Sequence, residues 1–402
     1  MIHTLQTQKQ NYILYVLAAA TFTIFFQLYM VAPLIPSLAV FFDVPEQTIG
    51  LIVPAYLIPY GISTLFYGLL ADKIGTKRIV LASLCIFIVL TALTSFSQTV
   101  PQLMTWRVLT GIGASGIVPM ALVWIGQSYS YEERGRPLGW LFGAMAGGSA
   151  FGASTGVIIE SYIGWRMLFL GVSILALLIL IILWRALSNM RDGQIRRQEL
   201  TLTKVFKGYK ALFAGRRGKI TYSYVLFNGI FHAGVFTWLG LYFERSFGLS
   251  GAAIGFAIMG YGFPGFILGP FIGKLVDKNG RSKLLPIGLA ISALSAFVLA
   301  LNIPLHVATV AVIFLSIGYD LTQPLLAGIV TEVGKERPGQ AMSLNVFMLF
   351  IGFGLGSYLF GLALQLSLLQ ALTIFSVVQA TLSIMAIALF RGEMKIKSLS
   401  KY

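Results

Sequence analysis

The sequence predicts an all-α integral membrane protein whose twelve transmembrane helices form two pseudo-symmetric six-helix bundles. Three observations predict this fold: an apolar composition, twelve apolar runs of membrane-spanning length, and features that recur in both halves. The 402-residue chain is 57% hydrophobic and 11% charged, whereas soluble domains carry about 25% charged residues. A soluble protein this apolar would expose large apolar patches, so we expect most of its surface to face lipid.

Twelve apolar runs are long enough to cross a membrane. A span needs about 20 mostly apolar residues, because the hydrocarbon core is about 30 Å thick and a helix rises about 1.5 Å per residue. The first six runs are roughly Tyr12–Pro36, Gln47–Leu70, Ile79–Phe96, Gln102–Ser128, Leu138–Ile159 and Trp165–Leu187. The second six are roughly Lys219–Phe243, Ala252–Val276, Leu284–Leu301, Leu305–Val330, Ala341–Leu362 and Leu368–Phe390.

Basic residues predict the orientation of these spans. The formal net charge is +15, and the Lys and Arg residues fall in short clusters between apolar runs, which argues against a nucleic-acid partner. Placing Met1 in the cytoplasm puts nearly all of these clusters on the cytoplasmic side. Only Arg166 and Arg245 lie near the outer face. The positive-inside rule therefore predicts a multi-pass protein of the inner (plasma) membrane with both termini in the cytoplasm.

Two sequence features recur in the two halves of the chain. Residues 68–78 (GLLADKIGTKR) follow the second span, and residues 273–283 (GKLVDKNGRSK) follow the eighth. A loop with both acidic and basic residues precedes the fifth span of each half, at 132–137 and 336–340. This repeat predicts an N-terminal bundle at 1–187, a basic cytoplasmic linker at 188–218 and a C-terminal bundle at 219–402. A binding site is expected between the bundles.

The repeated loop resembles the signature of the major facilitator superfamily, whose fold has two six-helix bundles. Residues 103–114 (LMTWRVLTGIGA) are similar to the fourth-span motif of its drug–proton antiporter branch. Residues 148–156 (GSAFGASTG) resemble the fifth-span antiporter motif. Thr76 departs from the loop signature, and Ala153 and Val157 replace the proline and glycine of the fifth-span motif. The resemblance therefore implies a transporter more strongly than it implies an exporter.

The resemblance also implies that the repeated loops gate the cytoplasmic side. Asp72 would contact the start of the eleventh span, where the helix dipole is positive, and Asp277 would contact the start of the fifth. The alternative is that these loops only set the orientation in the membrane. The predicted gating residues are Gly68, Asp72, Gly75, Lys77, Arg78, Gly273, Asp277, Gly280 and Arg281.

Three ionisable residues lie within predicted spans: Arg107, His232 and Asp320. Such residues are costly in a membrane and commonly mark proton or substrate pathways. We therefore predict that they carry proton coupling, with Asp320 near the midplane as the leading candidate. The alternatives are structural: an arginine bonded to loop carbonyls, a buried histidine with satisfied nitrogens, and an acid bonded between helices, for example to Tyr319.

The resemblance implies that the first, fourth, seventh and tenth spans line a substrate cavity. Ser316, Asp320 and Gln323 share one face of the tenth span by their spacing. Each aromatic residue on the lining spans has the alternative of facing lipid or packing between helices. The predicted cavity residues are Thr23, Phe26, Gln27, Asn228, Phe231, Ser316 and Gln323.

Catalytic and metal-binding patterns are not found in the sequence. The three histidines lie far apart, Cys85 is the single cysteine, and no Gly-Lys-Ser/Thr phosphate loop exists, so we expect no enzyme activity, metal, cofactor or ATP. The resemblance implies a proton-coupled secondary transporter that moves a small organic molecule by alternating access. We expect export of a drug or metabolite, with proton-coupled import or symport of a small metabolite as the alternative. Its expected partners are the substrate, protons and the lipid bilayer, and it is expected to be a monomer.

Overall fold

The structure is a computed structural model that describes residues 2–129, 135–188, 202–267 and 281–393. The first half contains helices α1 (Ile2–Met30), α2 (Ile35–Phe42), α3 (Glu46–Gly50), α4 (Pro54–Ile74), α5 (Thr76–Ser95), α6 (Val100–Ala114), α7 (Ile117–Ser128) and α8 (Gly135–Ser188). The second half contains α9 (Leu202–Ala214), α10 (Arg216–Thr237), α11 (Leu239–Phe247), α12 (Ala252–Ile258), α13 (Arg281–Leu299), α14 (Leu305–Val333), α15 (Pro338–Ala363) and α16 (Leu368–Leu389). The predicted all-α fold is confirmed.

Ten helical stretches of the described chain are long and apolar enough to cross a membrane. One of them, Pro137–Ser188, has 52 residues, and a straight helix of that length would extend about 78 Å, more than twice the thickness of the hydrocarbon core. It is interrupted at Gly164, whose φ of 77° and ψ of 157° are not helical. This stretch therefore holds the predicted fifth and sixth spans, while the predicted eighth span runs beyond the described residues.

The first, second, fourth, seventh and eighth predicted spans each contain a break that the apolar pattern does not show. In the first span, a 3₁₀ turn at Ala32–Leu34 separates α1 from α2, because the ring of Pro33 removes a backbone donor. In the seventh span, Trp238 separates α10 from α11. Its indole N–H donates a hydrogen bond to the Ser357 carbonyl at 3.1 Å, which ties the break to α15.

Close helix pairs build each half, and two seams join the halves. Helix α1 packs along α8 in the first half, and α10 packs along α15 in the second. One seam joins α4 to α15, where the rings of Tyr60 and Phe350 stack with centroids 4.2 Å apart. The other joins α8 to α12 and the turn after it, where Gly262 lies against Ala150 with a positive φ of 83°. A site between the halves is therefore enclosed by these two seams.

Contacts of the helix ends distinguish two faces. We call the side on which α1 begins and α16 ends the terminal face, and the other side the opposite face. On the terminal face, Lys77 donates to the Ser188 carbonyl at 3.4 Å. On the opposite face, Arg245 of the second half forms an ion pair of 3.1 Å with Glu46 of the first.

The predicted linker at 188–218 contains helix α9, which the sequence analysis does not predict. Its Tyr209 hydroxyl donates to the Leu65 carbonyl of α4 at 3.4 Å and forms a hydrogen bond with Ser343 of α15. Gly208 lies against the side chain of Gln340. Helix α9 therefore contacts both halves at the terminal face.

Candidate functional site

Asp320 lies in the middle of α14 with its carboxylate turned toward the turn that follows α12. The Ser316 hydroxyl, one helical turn before it, donates a hydrogen bond to Asp320 Oδ2 at 2.9 Å. The same hydroxyl accepts a hydrogen bond from the backbone N–H of Gly262 at 2.9 Å. The backbone of Gly265 provides a further hydrogen bond to the carboxylate. A side chain at Gly265 would overlap the carboxylate, so the close approach requires glycine.

His232 of α10 is buried among tyrosines from three other helical segments. The Tyr261 hydroxyl lies 2.7 Å from His232 Nδ1, and the Tyr29 hydroxyl of α1 lies 3.4 Å from Nε2. The Tyr319 ring stacks on the imidazole with centroids 3.5 Å apart. Tyr29 also forms a hydrogen bond with Ser149 of α8. His232 therefore joins residues of both halves through polar contacts.

These two groups of residues form one continuous site, since Tyr319 precedes Asp320 in the chain. The backbone also links the two groups, because Gly262, whose N–H donates to Ser316, follows Tyr261. We call this site the central polar cluster, and it consists of Tyr29, His232, Tyr261, Ser316, Tyr319 and Asp320. It lies where the first, seventh, eighth and tenth spans meet, and therefore between the two halves.

Arg107 lies in a second buried site, inside the first half. Its guanidinium is fully buried and donates to the Gln27 side-chain oxygen at 3.0 Å and to the Ile52 carbonyl at 3.3 Å. It lies over the ring of Tyr56, 4.2 Å from the ring centroid. We call Arg107, Gln27 and Tyr56 the arginine site. Gln27 and Tyr29 are two residues apart on α1, so this helix contacts both sites.

The structure places Asn228 in a contact among three helices of the second half. Its side-chain amide donates to the Thr322 hydroxyl of α14 at 3.0 Å and accepts from the Gln379 amide of α16 at 3.3 Å. The residue is 1% exposed. This placement indicates a hydrogen-bond network between helices, and the cavity role of Asn228 stays a prediction.

The other predicted cavity residues are dispersed. Thr23 is buried and donates to the Ala19 carbonyl of its own helix at 2.9 Å. Phe26 packs against Gly152, and Phe231 is buried in the apolar core. The Gln323 side-chain oxygen is buried with no hydrogen-bond partner among the described residues. Of the predicted set, the structure brings Ser316 to Asp320 and Gln27 to Arg107.

The predicted gating residues are described only in part. Gly75 precedes α5 with a positive φ of 91°, a conformation that favours glycine, and the Arg281 guanidinium lies against Gly328. Lys77 contacts Ser188 as given above, and Arg78 is exposed on α5. The structure does not describe Gly273, Asp277 and Gly280. It describes Gly68 and Asp72 only as part of the backbone of α4. The gating role stays a prediction.

Sequence reasoning missed Tyr261 of the central polar cluster, Tyr56 of the arginine site, and Ser149, which contacts Tyr29. Tyr261 stands between Gly260 and Gly262, and this Gly-Tyr-Gly run marks the break after α12. That run is the one available signal. Glycines on both sides of Tyr261 interrupt the helix, and a tyrosine hydroxyl beside such a break can contact another span. Ser149 and Tyr56 carry no comparable signal.

Comparisons with known proteins define the class. Helical bundles that enclose buried ionisable groups between two halves are typical of membrane transporters. The family model of the Major Facilitator Superfamily matches residues 17–357 and 241–399, and the chain belongs to this superfamily. Its relatives and its fold are those of transporters and not of enzymes.

Several relatives cover most of the chain. Multidrug resistance protein 2 of Bacillus subtilis is 23% identical over 90% of this chain and 90% of its own length. The riboflavin transporter RibZ of Clostridioides difficile is 24% identical over 81% of this chain and 82% of its own. A bacterial homologue of the human lysosomal transporter Spinster, solved in an inward-facing and unoccupied conformation, superimposes with a TM-score of 0.77. It shares 17% identity, covering 96% of this chain and 98% of that one. This structural likeness shows the fold.

Proposed function

We propose that the protein is a proton-coupled secondary transporter that exports a small amphipathic organic molecule by alternating access. In this proposal it lies in the inner (plasma) membrane with both termini, and hence the terminal face, in the cytoplasm. The distribution of Lys and Arg supports this orientation. The multidrug resistance proteins of Bacillus subtilis among its relatives support export.

The placement of Asp320 in the central polar cluster is the observation that carries the proposal. Its carboxylate contacts a hydroxyl and backbone groups, and no Lys or Arg among the described residues forms an ion pair with it. A carboxylate without a cation inside a membrane protein is costly when ionised, so binding and release of a proton are favoured over permanent charge.

The neighbours of Asp320 can form hydrogen bonds with both the ionised and the protonated form of its carboxyl group. The Ser316 hydroxyl can donate to the carboxylate, or accept from the carboxylic acid after rotating. Across the cluster, His232 contacts Tyr29 of the first half and Tyr261 of the second. A proton bound at Asp320 therefore changes the charge of a site that both halves share. A change of charge there can bias the protein between its two access states.

The proposal is tested with everted membrane vesicles that contain the protein and a fluorescent amphipathic cation such as ethidium, with riboflavin as a second probe. We expect an inside-acid gradient to drive accumulation of the transported probe, and a protonophore to abolish it. Vesicles without the protein are the control. Accumulation driven instead by an inside-alkaline gradient would indicate proton symport and replace export with import, and accumulation without a proton gradient would contradict proton coupling.

A further inference from the structure

We propose that the arginine site binds a small monovalent anion, either a halide ion or the carboxylate group of a transported molecule. The site lies inside the first half, between α1, α4 and α6 and the turn before α4. It is separate from the central polar cluster, and the proposal does not depend on proton coupling at Asp320.

The charge of Arg107 is the first observation behind this proposal. The guanidinium remains protonated at any physiological pH, and the side chain is fully buried. Its contacts are an amide oxygen, a backbone carbonyl and a tyrosine ring, all of them neutral. None of the described carboxylates forms an ion pair with it. A buried charge with neutral neighbours alone is costly, and a counter-ion would offset that cost.

The second observation is that three polar atoms of the site have no hydrogen-bond partner among the described residues. Arg107 Nη2, Gln27 Nε2 and the Tyr56 hydroxyl are buried, and none has a partner among the described residues. The two nitrogens can only donate hydrogen bonds, and the hydroxyl can donate one as well. The three side chains contact one another through the guanidinium. Together they offer three donors and one positive charge, which is the complement of an anion.

The charge balance limits the ligand to a monovalent anion. One guanidinium neutralises one negative charge, so a divalent anion such as sulfate would leave a net charge buried. A carboxylate also matches the geometry of a guanidinium, which can donate two parallel hydrogen bonds to its oxygens. Gln27 is close to Tyr29 on α1, so an occupied arginine site would lie next to the helix that contacts His232.

Thermal unfolding of the purified full chain in lipid nanodiscs tests the proposal. The melting temperature is measured against the concentration of chloride or acetate, with a bulky sulfonate replacing the anion at constant ionic strength. A ligand that binds the folded state raises the melting temperature with the logarithm of its concentration. We expect this rise for the wild type. The Tyr56→Phe variant lacks one donor and should bind the anion about ten- to hundredfold more weakly, the loss expected for one hydrogen bond to a charged group.

The Gln27→Glu variant places a carboxylate beside Arg107 and should make the melting temperature independent of added anion. Arg166→Gln is the matched control, because Arg166 is exposed yet likewise donates to a carbonyl, that of Ser97 at 2.8 Å, and lies over an aromatic ring. This variant should respond like the wild type. The proposal is overturned if the melting temperature of the wild type does not change with chloride or acetate. It is also overturned if the melting temperatures of both Gln27→Glu and Tyr56→Phe depend on the anion as the wild type does.

The source of the anion follows from transport measurements on the same protein reconstituted in proteoliposomes. If a halide is resident, transport should fall when chloride is replaced by the bulky sulfonate. If the carboxylate belongs to the substrate, acetate should compete with transported carboxylates and chloride removal should have no effect. Both outcomes support the site, and they differ in what occupies it.

Discussion

Arg107 and His232 are buried, Asp320 is half-buried, and the three ionisable side chains differ in their polar contacts. Asp320 contacts a hydroxyl and backbone groups, His232 contacts two tyrosine hydroxyls, and Arg107 contacts an amide, a carbonyl and a ring. Because Asp320 and His232 share one cluster between the halves, a change of proton number there reaches both halves. Arg107 lies within one half, which favours a role in binding.

At the residue scale, Asn228→Ala should lower stability without changing substrate affinity. The variant loses hydrogen bonds to Thr322 and Gln379 in a contact among three helices. Hydrogen bonds between membrane helices are worth about 0.6 to 2 kcal/mol each, so we expect a loss of about 1–3 kcal/mol. The measurements are the melting temperature and the concentration of probe at half-maximal transport. A large rise in that concentration with unchanged stability would instead place Asn228 in the cavity.

The spacing of residues along one helix predicts contacts within that helix, but it does not predict which residues of other helices they contact. The i, i+4 spacing of Ser316 and Asp320 is sufficient to predict that they share a face, and the structure shows their hydrogen bond. The partner of His232 is Tyr261, which lies on another span beside a break in the helix. Asn228 lies one turn from His232 on α10, but this spacing does not predict that its amide contacts Thr322 and Gln379 on two other helices.

At the scale of elements, the glycines of the fifth-span motif explain how α8 packs on α1. A Cβ at Gly148 would lie 2.5 Å from the Phe22 carbonyl oxygen, and one at Gly152 would lie 2.5 Å from that of Phe26. Glycine at both positions lets the two backbones approach closely, as is common between membrane helices. The motif therefore has a packing role here even though Ala153 and Val157 depart from its usual form.

Substitution of one motif glycine tests this role. Gly152→Val should destabilise the first half by about 1–3 kcal/mol, because the added carbons overlap the backbone of α1. Gly143→Val on the same helix is the matched control, since a Cβ there meets no atom within 4 Å. The measurement is the melting temperature of each purified variant. Equal stability of the two variants would contradict the packing role.

The sequence predicts the ends of a helix only where the chain changes from apolar to polar residues at the same position. The apolar runs predict the spans well, because length and hydropathy determine which segments can cross a bilayer. They do not predict the break at Trp238, where the indole donates a hydrogen bond to Ser357 in another helix. Helix α9 was also missed. Its Leu212 is buried, and its Tyr209 contacts helices distant in sequence.

At the scale of the whole molecule, the two halves meet along two seams with the central polar cluster between them. The halves contact each other on the opposite face through Glu46 and Arg245, and helix α9 of the linker contacts both halves on the terminal face, where Tyr209 donates to Leu65. Alternating access requires such contacts to form and break in turn, while the site between the halves stays in place. The proton at Asp320 is the charge that we propose drives this exchange.

The measurement that tests this account most directly compares two kinds of transport by the Asp320→Asn variant in proteoliposomes. Asparagine resembles the protonated acid and cannot release a proton. The variant should therefore exchange labelled for unlabelled substrate at a rate close to wild type, yet fail to concentrate substrate when a pH gradient is applied. Glu332→Gln is the matched control, because Glu332 lies near the end of the same helix in an ion pair with Lys335, and this variant should still accumulate substrate. If Asp320→Asn concentrates substrate against its gradient, Asp320 does not carry the coupling proton and the central claim is contradicted.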